Sequence, residues 1–159
     1  MPTITGISAA IKTVISSATG VGNVYDYIRF ATLDKTFETL VVTGGTVNFW
    51  QFERTTTREQ WLNNFQFKRI HSFNISGYKA VSEATDSGRK FQMLVERVAE
   101  RFRRPSNRDL SDNVESIVEG SGGIQINAIG HSMVHGVLCH SAQVGLRVNG
   151  LPEDFPTTG

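Results

Sequence analysis

The sequence predicts an α+β fold, a mainly antiparallel β-sheet with helices packed on one face. Three features predict it. Asn64 to Tyr78 alternates for most of its length. Phe65, Phe67, Phe73 and Ile75 lie on one side with Arg69 and His71, and Gln66, Lys68, Ser72, Asn74 and Ser76 lie on the other. Successive side chains of a strand point to opposite faces, so this stretch offers one side to a core and one to water. Ser87 to Arg104 then places Phe91, Leu94, Val95, Val98 and Phe102 on one helical stripe, with Lys90, Glu96, Arg97, Glu100, Arg101, Arg103 and Arg104 on the outer face. The order of elements is helix, strand, helix, two long strands, helix, and two or three strands, which suits helices gathered on one side of a sheet.

Length and composition bound the rest. At 159 residues the chain suits one domain, residues 1–149, followed by an extended arm, residues 150–159. Ten Phe and 39% hydrophobic residues supply a real core. The formal net charge of +1 gives the whole molecule no drive toward nucleic acid or membrane, so any such role needs a local patch. Charged residues make up 19%, below the roughly 25% of a typical soluble protein, which fits a surface that meets other protein. Cys139 is the single cysteine, which excludes an intrachain disulfide and points to a reducing compartment. No basic region precedes an apolar run at the N-terminus, and no stretch nears the ~20 apolar residues of a membrane span. The expectation is a soluble, cytosolically made protein.

The elements follow in order. Thr5 to Ala18 reads as a helix with Ile7, Ile11, Val14, Ile15 and Ala18 inward, capped by Thr3 or Thr5 and ended before Gly20. Val24 to Tyr27 is a short strand, and Leu33 to Val41 a short helix stopped by Gly44-Gly45. Thr46 to Arg54 is a strand with Val47 and Phe49 on one face and Trp50 and Phe52 on the other, so both faces are partly covered. Thr55 to Asn63 is a polar connecting loop, long for a hairpin, whose Trp61-Leu62 either folds back or anchors a partner. Gly77 ends the long strand. After the main helix, Pro105 opens a polar loop to Asn113, Val114 to Glu119 is a strand, and 120–123 is a Gly-rich turn. Ile124 to Ala128 and Val137 to Val148 are strands around a turn at His131 to His135.

No catalytic constellation stands out. His131 and His135 would lie about 13 Å apart along one strand, too far to share a metal. His140 and His71 read as core histidines, and neighbours Cys139 and His140 point to opposite faces. The expectation is no enzyme activity, no metal and no cofactor. Arg97, Arg101 and Arg104 share a helix face and form a modest basic patch, which a ring of subunits would multiply.

The phrases ITGISAAIK, VGNVYDYIRFA, GGTVNFWQFERT, RIHSFNISGYKAV, FQMLVERVAERFR and HSMVHGVLCHSAQVGLRV stand in an order that resembles the tail terminator and related head–tail joining proteins of long-tailed bacteriophages. The resemblance spans most of Ile4 to Val148. It implies a ring-forming subunit, usually a homohexamer. Such a ring caps the tail tube, joins it to the head connector at the tail–neck junction of the virion, and assembles in the host bacterial cytoplasm. Its implied partners are further copies of itself, the tail-tube protein and neck proteins, with non-specific contact to genomic DNA in the lumen and none to membrane. On this reading Arg58, Trp61, Leu62, Trp50, Phe52 and Phe155 are expected at subunit, tube or neck interfaces. Arg97, Arg101 and Arg104 are expected to face a neighbour or the lumen. The residues also leave open another neck component, a tail-tube subunit, or a small His-dependent enzyme.

Overall fold

Thr3 begins the first helix by turning its hydroxyl back to accept the Gly6 amide at 3.1 Å, which satisfies one of the donors that a helix start leaves unpaired. The helix α1, Ile4–Ser16, buries Ile7, Ala10, Ile11, Val14 and Ile15. The main helix α2, Ser87–Arg103, buries Phe91, Leu94, Val95, Val98 and Phe102, the stripe that its periodicity predicts, and Ala99 beside them. Proline at 105 lacks the amide that would continue the helix, and a short 3₁₀ turn, Pro105–Asn107, follows. In this computed structural model the described residues are 3–28, 42–43, 46–82, 86–117, 124–134 and 136–154. The short helix expected at Leu33 to Val41, the turn at 120–123, His135 and Phe155 lie outside them.

The strands are β1 Asn23–Tyr25, β2 Val42–Thr43, β3 Thr46–Trp61, β4 Gln66–Ala80, β5 Val114–Ile117, β6 Ile124–Val134, β7 Val137–Gly150 and β8 Glu153–Asp154. They form one sheet in the order β1-β3-β4-β7-β5, with β6 also on β7, β2 on β3 and β8 on β4. All pairings are antiparallel except β1 with β3. The fold is therefore α+β, with both described helices on one face. Their buried stripes meet Trp50, Phe52, Phe73, Ile75, Ala142, Val144, Leu146 and Val148 in one core. A smaller cluster of Val47, Phe49 and Cys139 lies on the opposite face, flanked by Tyr25, Tyr78, Val134 and Val137, with Phe49 stacked on Tyr78 at 5.0 Å.

Four boundaries differ from the sequence reading. Thr55 to Trp61 is strand and not loop, because β3 runs unbroken in pairing to Trp61 apart from a bulge at Thr55. The reason is physical: this half of the hairpin is exposed on both faces, so it has no apolar alternation to betray it, while its Thr run favours strand. The hairpin turn is 62–65, and Phe65 is 61% exposed in it and not on a core face. Gly77 does not end β4. It lies mid-strand, under the Trp50 indole, where a glycine admits close approach. His131 to Val134 continue β6, so the turn falls later than the sequence suggests.

The loop before β5 carries three successive residues at positive φ, Leu110 at 47°, Ser111 at 58° and Asp112 at 66°. Each is sterically unfavourable for an L-residue. Burial of Leu110 in the core, and Asn113 Nδ2 donating to the Leu110 carbonyl at 2.8 Å, hold the run in place.

Candidate assembly surfaces

The outer half of the β3–β4 hairpin is the most exposed structured part of the described chain. From Glu53 to Trp61 every β3 residue is exposed. At about 3.3 Å per residue, the six paired positions from Thr56 to Trp61 reach about 20 Å. The tip is a tight turn: Asn63 Oδ1 accepts the amides of Phe65 at 2.8 Å and Gln66 at 2.9 Å, and Leu62 donates its amide to the Gln66 carbonyl at 2.8 Å. Side-chain capping of this kind fixes what the tip presents. It presents Trp61, Leu62 and Phe65, which are 50%, 45% and 61% exposed. Trp61 leans on Phe67 at 5.0 Å, and the Arg69 guanidinium lies over the Phe67 ring at 5.6 Å.

The hairpin is supported from one side. β8, the start of the arm, adds a short third strand to the β4 edge, with Gln66 Nε2 donating to Asp154 Oδ1 at 2.9 Å and Arg69 paired with Glu153 at 3.5 Å. The arm thus docks on its own subunit as far as Asp154. The other edge of the hairpin is open: β1 and β2 pair with β3 only up to Gln51, and no described strand pairs with its outer edge from Phe52 to Trp61. Among the described residues β6 likewise pairs only with β7. Among the described residues the sheet therefore leaves one edge unpaired on each side.

The predicted site residues separate into three groups. Arg58, Trp61 and Leu62 come together on the hairpin, as exposed residues. Trp50 and Phe52 are fully buried in the chain's own core and offer nothing to a partner in this fold. The Val47–Phe49 face was the alternative that sequence alternation left equal. The helices cover the Trp50 face because Gly77 and Ala142 opposite it leave room for the indole. In the third group, Arg101 Nε donates to Ser17 Oγ at 2.8 Å and Arg97 Nε donates to the Thr19 carbonyl at 3.1 Å, so both clasp the end of α1. Arg104 pairs with Glu100 one turn back at 3.1 Å. All three arginines are thereby engaged within the subunit, two of them on α1.

The face of the sheet away from the helices is polar through its middle. Gln143 Oε1 accepts from Asn74 Nδ2 and from Ser76 Oγ, both at 2.9 Å. Strand parity adds Arg58, Lys68 and Arg147 to this face, against Glu53. Lys68 and Arg147 are each one charge on an alternating strand, and only the pairing register puts them on one face, Arg147 beside Ser72 and Lys68 four residues before it on β4.

The histidines do structural work. His131 and His140 face each other across β6 and β7 with ring centroids 5.1 Å apart. His140 Nε2 lies 2.9 Å from Ser87 Oγ, and that hydroxyl also donates to the Ser82 carbonyl and accepts the Ser82 amide. The contact fastens the start of α2 to β7. Burial and the nearby His131 lower the His140 pKa. Cys139 is buried, and burial pushes its thiol up to about 11. Among the described residues no group of three or more His, Cys, Asp or Glu is placed to hold a metal, and no helix is long and apolar enough to cross a membrane.

Comparison of the chain with protein-family models and with curated proteins finds no match.

Proposed function

We propose that this chain is a structural subunit that closes into a ring, usually of six copies, and acts as a phage tail terminator. The ring caps the tail tube and joins it to the head connector. The observation that carries the reading is the exposed hairpin: a strand pair fixed at its tip, with three large apolar side chains in water and one open edge. A two-stranded ribbon of this length is marginal by itself, and aromatic side chains half or more exposed at its end are typical of a surface that a partner covers. Both features gain a purpose when neighbours cover them. The open edges on opposite sides of the sheet suit head-to-tail contacts, and such contacts close into rings. The tip is the part that touches tube or neck.

The lumen-facing role proposed for Arg97, Arg101 and Arg104 is better filled by Arg58, Lys68 and Arg147. They lie on the sheet face away from the two described helices, whereas Arg97 and Arg101 hold α1. Any contact with genomic DNA in the lumen would be phosphate-directed and non-specific.

Native mass spectrometry of the protein, alone and with tail-tube protein, tests the reading. A closed ring, or one formed only with tube protein, supports it. A tube-forming subunit would instead grow long tubes, and a monomer indifferent to tube protein would overturn the reading. The double variant Trp61→Ala/Phe65→Ser should keep the wild-type unfolding free energy to within about 0.5 kcal/mol, as surface changes do, yet lose joining to tube or neck.

A further inference from the structure

We propose that the hollow between the root of the β3–β4 hairpin and the first turns of α1 binds a small oxyanion, a phosphate or a carboxylate group, on Arg54 and Arg69. The hollow measures ≈ 470 Å³ and is walled by Arg54, Arg69, His71, Thr3, Leu151 and Glu153. The Thr55 bulge brings the charges together. In a regular strand Arg54, Thr56 and Arg58 would share a face; the extra residue instead puts Arg54 on the same face as Thr57, opposite His71. Arg69 sits two residues before His71 and so joins them.

The charge in the hollow is unbalanced. Its described walls carry two guanidinium groups and one carboxylate. Glu153 holds Arg69 at 3.5 Å, and Arg54 has no acidic partner among the described residues. His71 is buried with Nδ1 held 2.9 Å from Thr57 Oγ1. Burial first, then Arg54 and then Arg69, lower its pKa, so the cations act on the space where the ring lies. The neutral imidazole adds hydrogen-bonding capacity without adding charge. The start of α1, whose first turn carries no acidic residue, contributes its partial positive end to the same wall. A guanidinium fork matches the paired oxygens of a carboxylate or phosphate, which makes an oxyanion the fitting ligand and chloride a poor one.

The test needs a single subunit and stands apart from ring formation. Inorganic phosphate is titrated into the full-length protein at constant ionic strength, with sodium chloride as control. The readouts are the His71 ring signals by NMR and the unfolding temperature. The expected result is a saturable shift of His71 and a phosphate-specific rise in unfolding temperature. Arg54→Gln should weaken binding at least about tenfold, and Arg89→Gln, exposed near the start of α2 and outside the hollow, should leave it unchanged. Arg54→Lys, which keeps the charge and loses the fork, guards against a folding artefact and should bind between the two. Acetate in a second titration separates the sources: competition with phosphate indicates that an acidic side chain can serve, and its absence indicates a phosphate group. Identical responses to phosphate and chloride, or an Arg54→Gln protein that binds as the wild type does, would overturn the proposal.

Discussion

Replacing Gly77 by alanine tests whether the Trp50 indole is what seats the helical layer on the sheet. A Cβ at position 77 would stand 2.5 Å from Cε2 and Cζ2 and 2.6 Å from Cη2 of Trp50, where ordinary contact begins near 3.4 Å. The ring must retreat by about 1 Å, and it has no room to do so. It is fully buried, and the Phe91 ring of α2 is stacked on it with centroids 6.4 Å apart. Overpacking of this kind costs about 1–3 kcal/mol, and three ring atoms meeting at once belongs near the upper end. Against it stands the roughly 0.5–1 kcal/mol that a strand glycine loses in backbone entropy. The net is about 2 kcal/mol of lost stability. For a chain of this size that lowers the unfolding temperature by about 4–8 °C. It also lowers the urea midpoint by about 1 M. In a Trp50→Phe background the same alanine should cost much less, because the clashing ring is gone. A Gly77→Ala protein as stable as the wild type, or a cost equal in both backgrounds, would refute the reasoning.

Four further outcomes follow from other contacts. Arg101→Ala should cost about 1–1.5 kcal/mol in urea unfolding, because Ser17 loses its donor, whereas Arg104→Ala, whose Glu100 partner is half-exposed, should cost under about 0.5 kcal/mol. His71 and His140 both have folded-state pKa values lowered below 6.5, chiefly by burial. The unfolded chain therefore binds more protons as pH falls through 6.5. Their stabilising contribution is full above that pH and is lost on acidification toward the folded values, and urea midpoints at pH 7.5 and 5.5 should show a smaller drop in His140→Gln. Truncation after Gly150 removes β8 and the Arg69–Glu153 pair, so amide exchange should accelerate at Phe67 and Lys68 and stay slow at Ile75 and Val144. Cys139, buried with a thiol at about 11, should react with a thiol reagent at pH 8 only as fast as the chain opens.

Where burial is one-sided, the sequence was readable. Both described helices, and β4 and β7 through the core, display their buried stripe as periodicity, and the structure fills most of it, Leu138 at the start of β7 being exposed and Ala10 and Ala99 joining the helical stripes. Where neither face is buried, the signal vanishes. Thr55 to Trp61 is polar on both faces because water reaches both, so alternation cannot mark it as strand, and only the Thr run hints at it. Where both faces are buried, the signal is ambiguous in the opposite way. Phe49 and Trp50 were equal claimants for the helical side, and the decision rests with residues far along the chain, Gly77 and Ala142. The arginines of α2 show a third limit. Their spacing is visible in sequence, but the acceptors Ser17 and Thr19 are some eighty positions away, so a clasp between helices looks like a free basic patch.

The composition of the hairpin bears on the ring reading in its own right. An open strand edge is a hazard, since it offers unpaired amides and carbonyls to any extended chain. Along the open edge of β3 the sequence places Glu53, Arg54, Arg58 and Glu59, with a bulge at Thr55, and these are the devices that discourage indiscriminate pairing. Yet the same stretch keeps three threonines and no proline or glycine, so it retains full capacity to pair with a strand whose charges match. An edge meant only to stay solvated has no need of that capacity. An edge meant to aggregate would lack the charges. The combination suits a partner that arrives in one register and orientation, which is what a neighbouring copy in a closed ring provides and what an arbitrary strand does not.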